Sequence, residues 1–344
     1  MEKEKWLMPM YYKDFKCKCE KCRHTCCHSW KIPVSQDEYF KLIGMECSEE
    51  LHNKIEVAFE DPKIPSPNCY KYISFNWLGE CKLNEGGLCM LHAKAGEDKL
   101  PKICRLYPRS LKKVNGQLIA SCSSSCEAVV EMLYKANSLD MVEDYLDEEP
   151  QLEYNIAIKE YKELETFSEL LKDRSTSLVR SIIDMCLIVN EKEFKEGYNA
   201  DINPITSTLN IMERFIESDE FFSSIYNELN ERYKDNYFQY EIDKELFEKT
   251  YTNWNHFFEN VINNSLLYEN FPFVDSRFDK TKAYKGLCAS YGLLRFVSIG
   301  YTSIHKGEEA LIDVVAELFH LIDHTAFYYN INVICDDAAI LLKL

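Results

Sequence analysis

Glycine is scarce in this chain, with 11 among 344 residues. A doubly wound nucleotide-binding sheet spends glycines on its phosphate turns, so that architecture is disfavoured. Long apolar runs are missing too. None approaches the ~18 residues of a membrane span. Residues 1–9 lack the apolar core of a signal peptide. A cytoplasmic protein is expected. No Pro/Gly/Ser-rich linker, internal repeat or low-complexity tract is visible. No histidine is followed two residues later by glutamate, which removes the zinc deaminase signature. His320 and His324 stand four apart on an expected helix, but Leu321 occupies the position where a metalloprotease needs glutamate. They read better as core or boundary residues.

What the chain has is cysteine. Of 15 in total, Cys17, Cys19, Cys22, Cys26 and Cys27 fall within eleven residues. Cys81, Cys89, Cys104, Cys122 and Cys126 follow. In a cytoplasmic setting disulfides are rare, so clustered thiols read as metal ligands. Cys17-x4-Cys22-x3-Cys26-Cys27, Cys81-x7-Cys89, Cys104 and Cys122-x3-Cys126 supply ample donors. Zinc sites usually show two C-x2-C knuckles. Here Cys19-x2-Cys22 is the one such pair, and Cys26 and Cys27 are adjacent. Neighbouring cysteines fit one tetrahedral ion poorly but can reach different irons. An iron–sulfur cluster of the 4Fe-4S type is therefore favoured, with zinc as the alternative. The C-x3-C-x2-C order of radical chemistry is not met, since Ser29 stands where its last cysteine should be.

Charge divides the chain. Residues 1–126 carry 20 Lys+Arg against 16 Asp+Glu, and the rest carries 20 against 41. An acidic half disfavours nucleic acid, whose binding requires neutralising phosphates. It suits a basic partner, or simply a solvated surface.

Local signals give a mainly α fold: a cysteine-rich metal-binding region over 1–126 with a small β-hairpin, and an all-helical domain over 127–344. Ser35-Gln36-Asp37-Glu38 is a capping box, which predicts a helix toward Met45. Ser48-Glu49-Glu50 starts another. Residues 61–68 hold three prolines and form a loop. Lys71 to Trp77 has strand character. Asn115-Gly116 predicts a tight hairpin, because both turn positions need positive φ. Helical periodicity covers about 152–173, 177–193, 205–214, 218–233, 241–266, 280–304 and 308–327.

Several of these residues carry a resemblance. Phe15-Lys16-Cys17, Cys22, Thr25-Cys26-Cys27, Trp30 and Ile32-Pro33 resemble the start of the flagellin lysine-N-methylase family, itself related to the CxxCxxCC cysteine-cluster proteins. The likeness continues through Cys81, Gly87-Leu88-Cys89, Gly96-Glu97, Cys104-Arg105-Leu106-Tyr107-Pro108-Arg109 and Ser125-Cys126-Glu127-Ala128. It persists more weakly in Asn270-Phe271-Pro272-Phe273 and Leu293-Leu294-Arg295. The resemblance implies a protein-lysine N-methyltransferase acting on flagellin, with S-adenosylmethionine as methyl donor and an iron–sulfur cluster. It matches the metal-ligand thiols to Cys17, Cys22, Cys26, Cys27, Cys81, Cys89, Cys104 and Cys126, with Cys19 and Cys122 as extras. The family usually has proline where Glu127 stands. Arg105, Tyr107 and Arg109 follow Cys104 around the fixed backbone of Pro108. They are candidates to face the cluster or an anionic ligand such as the donor carboxylate, or else are surface arginines beside a proline turn. The residues name no catalytic base and no donor motif. The competing class is a non-enzymatic cysteine-cluster module with a helical partner surface.

Overall fold

The computed structural model describes residues 4–23, 26–28, 32–77, 79–156, 166–167, 170, 176–216, 220–273 and 279–344. Two compact units divide the chain: residues 16–108, and residues 1–15 together with 109–344. The expected boundary after residue 126 is therefore not where the chain divides. The segment 109–126 goes with the helices.

The chain opens in the helical unit with strand β1 (Trp6–Pro9) and the short helix α1 (Tyr11–Asp14). It then enters the cysteine-rich unit through β2 (Pro33–Val34), α2 (Gln36–Ile43) and α3 (Glu49–Glu56). The capping box closes α2 as expected. Ser35 Oγ accepts from Glu38 N at 3.3 Å, and Glu38 Oε2 accepts from Ser35 N at 2.8 Å. Such a cap contributes about 1 kcal/mol. Ser48 caps α3 by accepting from Leu51 N. Strands β3 (Phe59–Glu60) and β4 (Lys71–Ile73) complete a small sheet in the order β2-β4-β3. A two-stranded ribbon, β5 (Asn84–Glu85) and β6 (Leu88–Cys89), leads to α4 (Met90–Ala95) and α5 (Lys102–Leu106). This unit has its own apolar core. Val34, Leu51, Ile55, Ile73, Leu83 and Leu91 are almost fully buried in it.

The helical unit resumes with β7 (Arg109–Val114) and β8 (Gln117–Cys122), joined at Asn115 (φ 47°) and Gly116 (φ 88°). The expected hairpin is present, but it is the centre of a larger sheet. With β9 (Met141–Asp144) and β10 (Leu152–Tyr154), the order is β10-β7-β8-β1-β9. Strand β1 runs parallel to β8, and β10 parallel to β7. Such pairings join distant segments, so no local pattern announces them. Helix α6 (Glu127–Lys135) lies between β8 and β9 in sequence.

The helices that follow are α7 (Leu178–Tyr198), α8 (Pro204–Glu213), α9 (Glu220–Tyr233), α10 (Tyr237–Thr250), α11 (Trp254–Glu269), α12 (Ala283–Ile304), α13 (Glu308–His324) and α14 (Phe327–Ile334). Asn203 caps α8 and Pro204 opens it, as the Asn-Pro pair implies. Three expectations are corrected. Residues 152–154 form a strand, and the rest of the helix expected over 152–173 falls largely outside the described residues. The helix expected over 241–266 is two, because the chain turns at Tyr251 (φ −105°, ψ 73°). Phe247, Tyr251, Trp254 and Phe258 pack on one another across that corner, so apolar periodicity runs straight through it. The helix expected over 308–327 stops at His324, since Thr325 is extended.

Helix α12 is the axis of the core. Residues 283–300 are buried without interruption, the signature of a helix apolar on every side. Its glycines allow neighbours to approach. A Cβ on Gly286 would fall inside the Tyr328 ring of α14, and one on Gly292 would overlap Leu341. Gly286→Ala is expected to destabilise the helical unit by about 1–3 kcal/mol through overpacking, despite alanine's better helix propensity. A urea midpoint equal to or above that of the parent would contradict this. No described helix is long and apolar enough to cross a membrane.

Candidate cysteine cluster and a buried acid–base group

Four of the eight candidate thiols come together in the cysteine-rich unit. Cys81 pairs with Phe75 through an isolated bridge, and its N–H donates to Cys27 O at 2.9 Å. The β5–β6 ribbon turns back to place Cys89 near it, and α5 supplies Cys104. Cys27, Cys89 and Cys104 all pack against the apolar core in which Cys81 is buried. Burial pushes the Cys81 thiol up to about 12, and Cys27 and Cys89 add to the rise. The thiol of Cys104 is raised well above its usual value, by burial first and then by Cys27, Cys81, Cys89 and Glu38. Cys89 is raised by burial and by Cys27. Cys81, Cys89 and Cys104 thus resist ionisation, and Cys27 adds to the rise of all three.

The Sγ atoms of Cys17 and Cys19 stand 3.8 Å apart in an exposed turn. Cys22 and Cys26 are half-buried. Cys126 belongs to the helical unit, where Cys122 is its neighbour. Among the described residues no group of three or more His, Cys, Asp or Glu side chains is arranged to hold a metal ion as it stands.

Arg105, Tyr107 and Arg109 also divide. Arg105 is exposed at the end of α5, and Tyr107 follows it half-buried. Arg109 begins β7 in the helical unit, its Cζ 5.0 Å from the Phe15 ring centroid and 6.0 Å from that of Tyr12. Both rings lie within cation–π reach of the guanidinium.

A second group of side chains was invisible in the sequence. Lys112 on β7, Glu269 at the end of α11 and Asp323 near the end of α13 influence one another's ionisation. Lys112 is buried, and its Nζ donates to the carbonyls of Leu267 and Tyr268 in the last turn of α11. Ser123, just beyond β8, donates to Asp323 Oδ2. The backbone of Ser124 also lies within reach of the Asp323 carboxylate, whose Oδ1 is shielded from solvent. Burial lowers Lys112 to about 8 against the pull of both carboxylates. Glu269 rises to about 8 through burial and then Asp323, with Lys112 opposing. Asp323 rises to about 7 through burial, against Ser123, Lys112 and the Ser124 backbone.

The surroundings are aromatic and polar. The Tyr268 ring lies 5.3 Å from Lys112 Nζ. Tyr328 is buried, and Glu269 and Asp323 both raise its phenol. His324 Nε2 is 2.8 Å from Ser125 Oγ, and burial with His320 alongside depresses it to about 3. That histidine is neutral at physiological pH and serves as a boundary residue, in line with the sequence reading. Asn264 on α11 ties this region to the hairpin, donating to Cys122 O at 2.9 Å and Ser124 Oγ at 2.8 Å.

The family model described as the FliB lysine N-methylase C-terminal domain matches residues 118–337. This chain belongs to the FliB lysine N-methylase family. The match runs from β8 to just past α14, so Ser123, Glu269 and Asp323 lie inside the FliB C-terminal domain, whereas Cys27, Cys81, Cys89 and Cys104 precede it. No curated protein and no solved structure matches the chain.

Proposed function

We propose that this protein transfers methyl groups from S-adenosylmethionine to lysine side chains of flagellin, and that its cysteine-rich unit holds an iron–sulfur cluster. Membership of the FliB lysine N-methylase family carries the reading. The acidic composition of residues 127–344 suits attraction of a lysine-bearing substrate.

Cys27, Cys81, Cys89 and Cys104 fit the cluster by donor chemistry. Four soft thiols share one apolar surround, where their charges repel unless a cation compensates them. Bound there, the cluster would cross-link the β5–β6 ribbon, α5 and the segment at Cys27. For the methyl donor, Arg109, held beside the Phe15 ring, is the residue whose guanidinium suits a carboxylate. The donor supplies an electrophilic methyl group on sulfur. The protein must bind the lysine, exclude water, and remove a proton from its ammonium. Only the neutral amine has a lone pair, and free lysine is neutral to about one part in two thousand at pH 7.

The test is direct. Anaerobically purified protein is expected to carry iron and acid-labile sulfide, and to move labelled methyl groups from S-adenosylmethionine onto flagellin lysines. Arg109→Ala should weaken donor binding and leave the iron content unchanged. Stoichiometric zinc without iron would remove the cluster assignment. An absence of label on lysine would remove the methyltransferase reading.

A further inference from the structure

We propose that the outer face of α10 is the contact through which two copies of this chain pair, antiparallel, about a twofold axis at Ile242. The inference goes beyond the methyltransferase reading and does not depend on it.

Helix α10 is apolar on two sides. Inward, Tyr240 and Phe247 are buried in the helical unit. Outward, Phe238, Ile242 and Leu246 are 74%, 45% and 53% exposed. They are spaced by four residues, so they form one row along the helix. A surface helix ordinarily turns one apolar stripe inward and charged or polar groups outward. Single exposed apolar residues are ordinary, whereas a contiguous row rimmed by polar groups marks a contact surface. The row is also held in place from beneath. Arg232 of α9 binds Asp243 at 2.6 and 2.8 Å, and Arg295 of α12 is paired with Glu248. A face fixed in advance loses little freedom on association.

Charge selects what covers this face. The chain carries a net charge of −17, so two copies repel one another except where charge is locally balanced. Around the row it is balanced. Glu241 lies 4.0 Å from Lys244, and Glu245 lies 3.4 Å from Lys249. The inner carboxylates, Asp243 and Glu248, are met by Arg232 and Arg295. A lysine-rich partner is drawn to a net acidic rim, and this rim is neutral. A second copy fits it, because a twofold contact must be complementary to itself. In an antiparallel pair centred on Ile242, each Phe238 lies opposite Leu246 of the other copy, and the two Ile242 side chains meet on the axis. Asp235 and Lys249 stand at equal distances in sequence on either side of Ile242, and both are exposed. Each end of the pair therefore sets a carboxylate opposite an ammonium. Glu245 lies opposite Gln239, and no two like charges of the outer face oppose one another. Three apolar side chains per copy make a small contact, which places the pair among weak, reversible associations with a dissociation constant of about 10–100 µM.

The test is sedimentation equilibrium of the full chain between about 1 µM and about 200 µM. The apparent mass is expected to climb from 40.4 kDa toward twice that value. Ile242→Glu sets two carboxylates against each other on the axis and should raise the dissociation constant about tenfold or more. Lys249→Glu and Asp235→Lys should each weaken the pair about threefold, as loss of exposed ion pairs does. The double variant restores the opposition with its signs exchanged and should recover the parental affinity. All three positions lie at the surface, so the melting curves should stay close to that of the parent. A parent that stays monomeric at the highest concentration would overturn the proposal, even if flagellin or another protein then protects α10 from hydrogen exchange. A dimer that Ile242→Glu leaves unchanged would overturn it too, because the copies then meet elsewhere. A double variant no tighter than either single one would overturn the antiparallel pairing.

Discussion

Cys104→Ser is expected to lose most of the iron and to open residues 16–108 to protease while residues 109–344 persist. Cys104 reaches its three thiol neighbours from α5, the last element of its unit, so its ligand bond would tie the end of the segment to its middle. Cys81 and Cys89 come from the β5–β6 region, and Cys27 from the opposite end. A structural metal in a small domain contributes on the order of 10 kcal/mol of folding free energy. The unit's apolar core is real but modest in extent, so removal of that contribution should exceed what the core retains. Serine oxygen is a poor ligand for a soft metal. Without metal the thiols stay protonated, because burial and mutual repulsion raise Cys81, Cys89 and Cys104. Reconstitution must release those protons and should therefore be faster at pH 8.5 than at pH 6.5. Full iron content in Cys104→Ser, together with an unchanged protease pattern, would exclude this thiol as a ligand. Cys17→Ser is the informative comparison, since that exposed residue stands beside Cys19.

Phe296→Ala is expected to destabilise the helical unit by about 3–5 kcal/mol, the range for removing a fully buried aromatic side chain. Phe296 lies on α12 with no exposed surface. Its ring stacks on Tyr240 of α10 at 5.5 Å and meets Tyr233 of α9 edge-on at 5.4 Å. Three helices are thus held at one point. The two tyrosines cannot collapse into the vacancy freely. Tyr233 is hydrogen-bonded to Asp243 Oδ2 at 2.8 Å, and Arg232 grips the same carboxylate at 2.6 and 2.8 Å. A cavity that cannot relax costs more than the lost transfer energy alone. The urea midpoint of unfolding, followed by near-ultraviolet circular dichroism, measures the effect. A loss below about 1 kcal/mol would show that the aromatic junction repacks.

Much of the secondary structure follows from short-range chemistry. Ser35 with Glu38, Asn203 with Pro204, and Asn115 with Gly116 each set backbone geometry through atoms within a few residues, so they are legible in a linear text. Where apolar periodicity continued across a corner, as at Tyr251, one helix was expected and two are present. The sheet order was hidden more deeply, because β1 pairs with β8 across more than a hundred residues.

The sequence alone determined that this chain is mainly helical, that its thiols are concentrated in the N-terminal third, and that its residues resemble flagellin lysine-N-methylases, a family the C-terminal match bears out. Tertiary structure decided which of those thiols meet, and it grouped Cys27, Cys81, Cys89 and Cys104 while leaving Cys126 to the other unit. It also decided that Lys112, Glu269 and Asp323 come within electrostatic reach of one another. Each is an unremarkable charge in its own segment, and the nearest two are more than fifty residues apart in sequence. Their shared burial, and with it their altered basicity, arises only when a strand and two helix ends fold together. Desolvation and Coulomb coupling depend on distance in space, which local sequence does not encode.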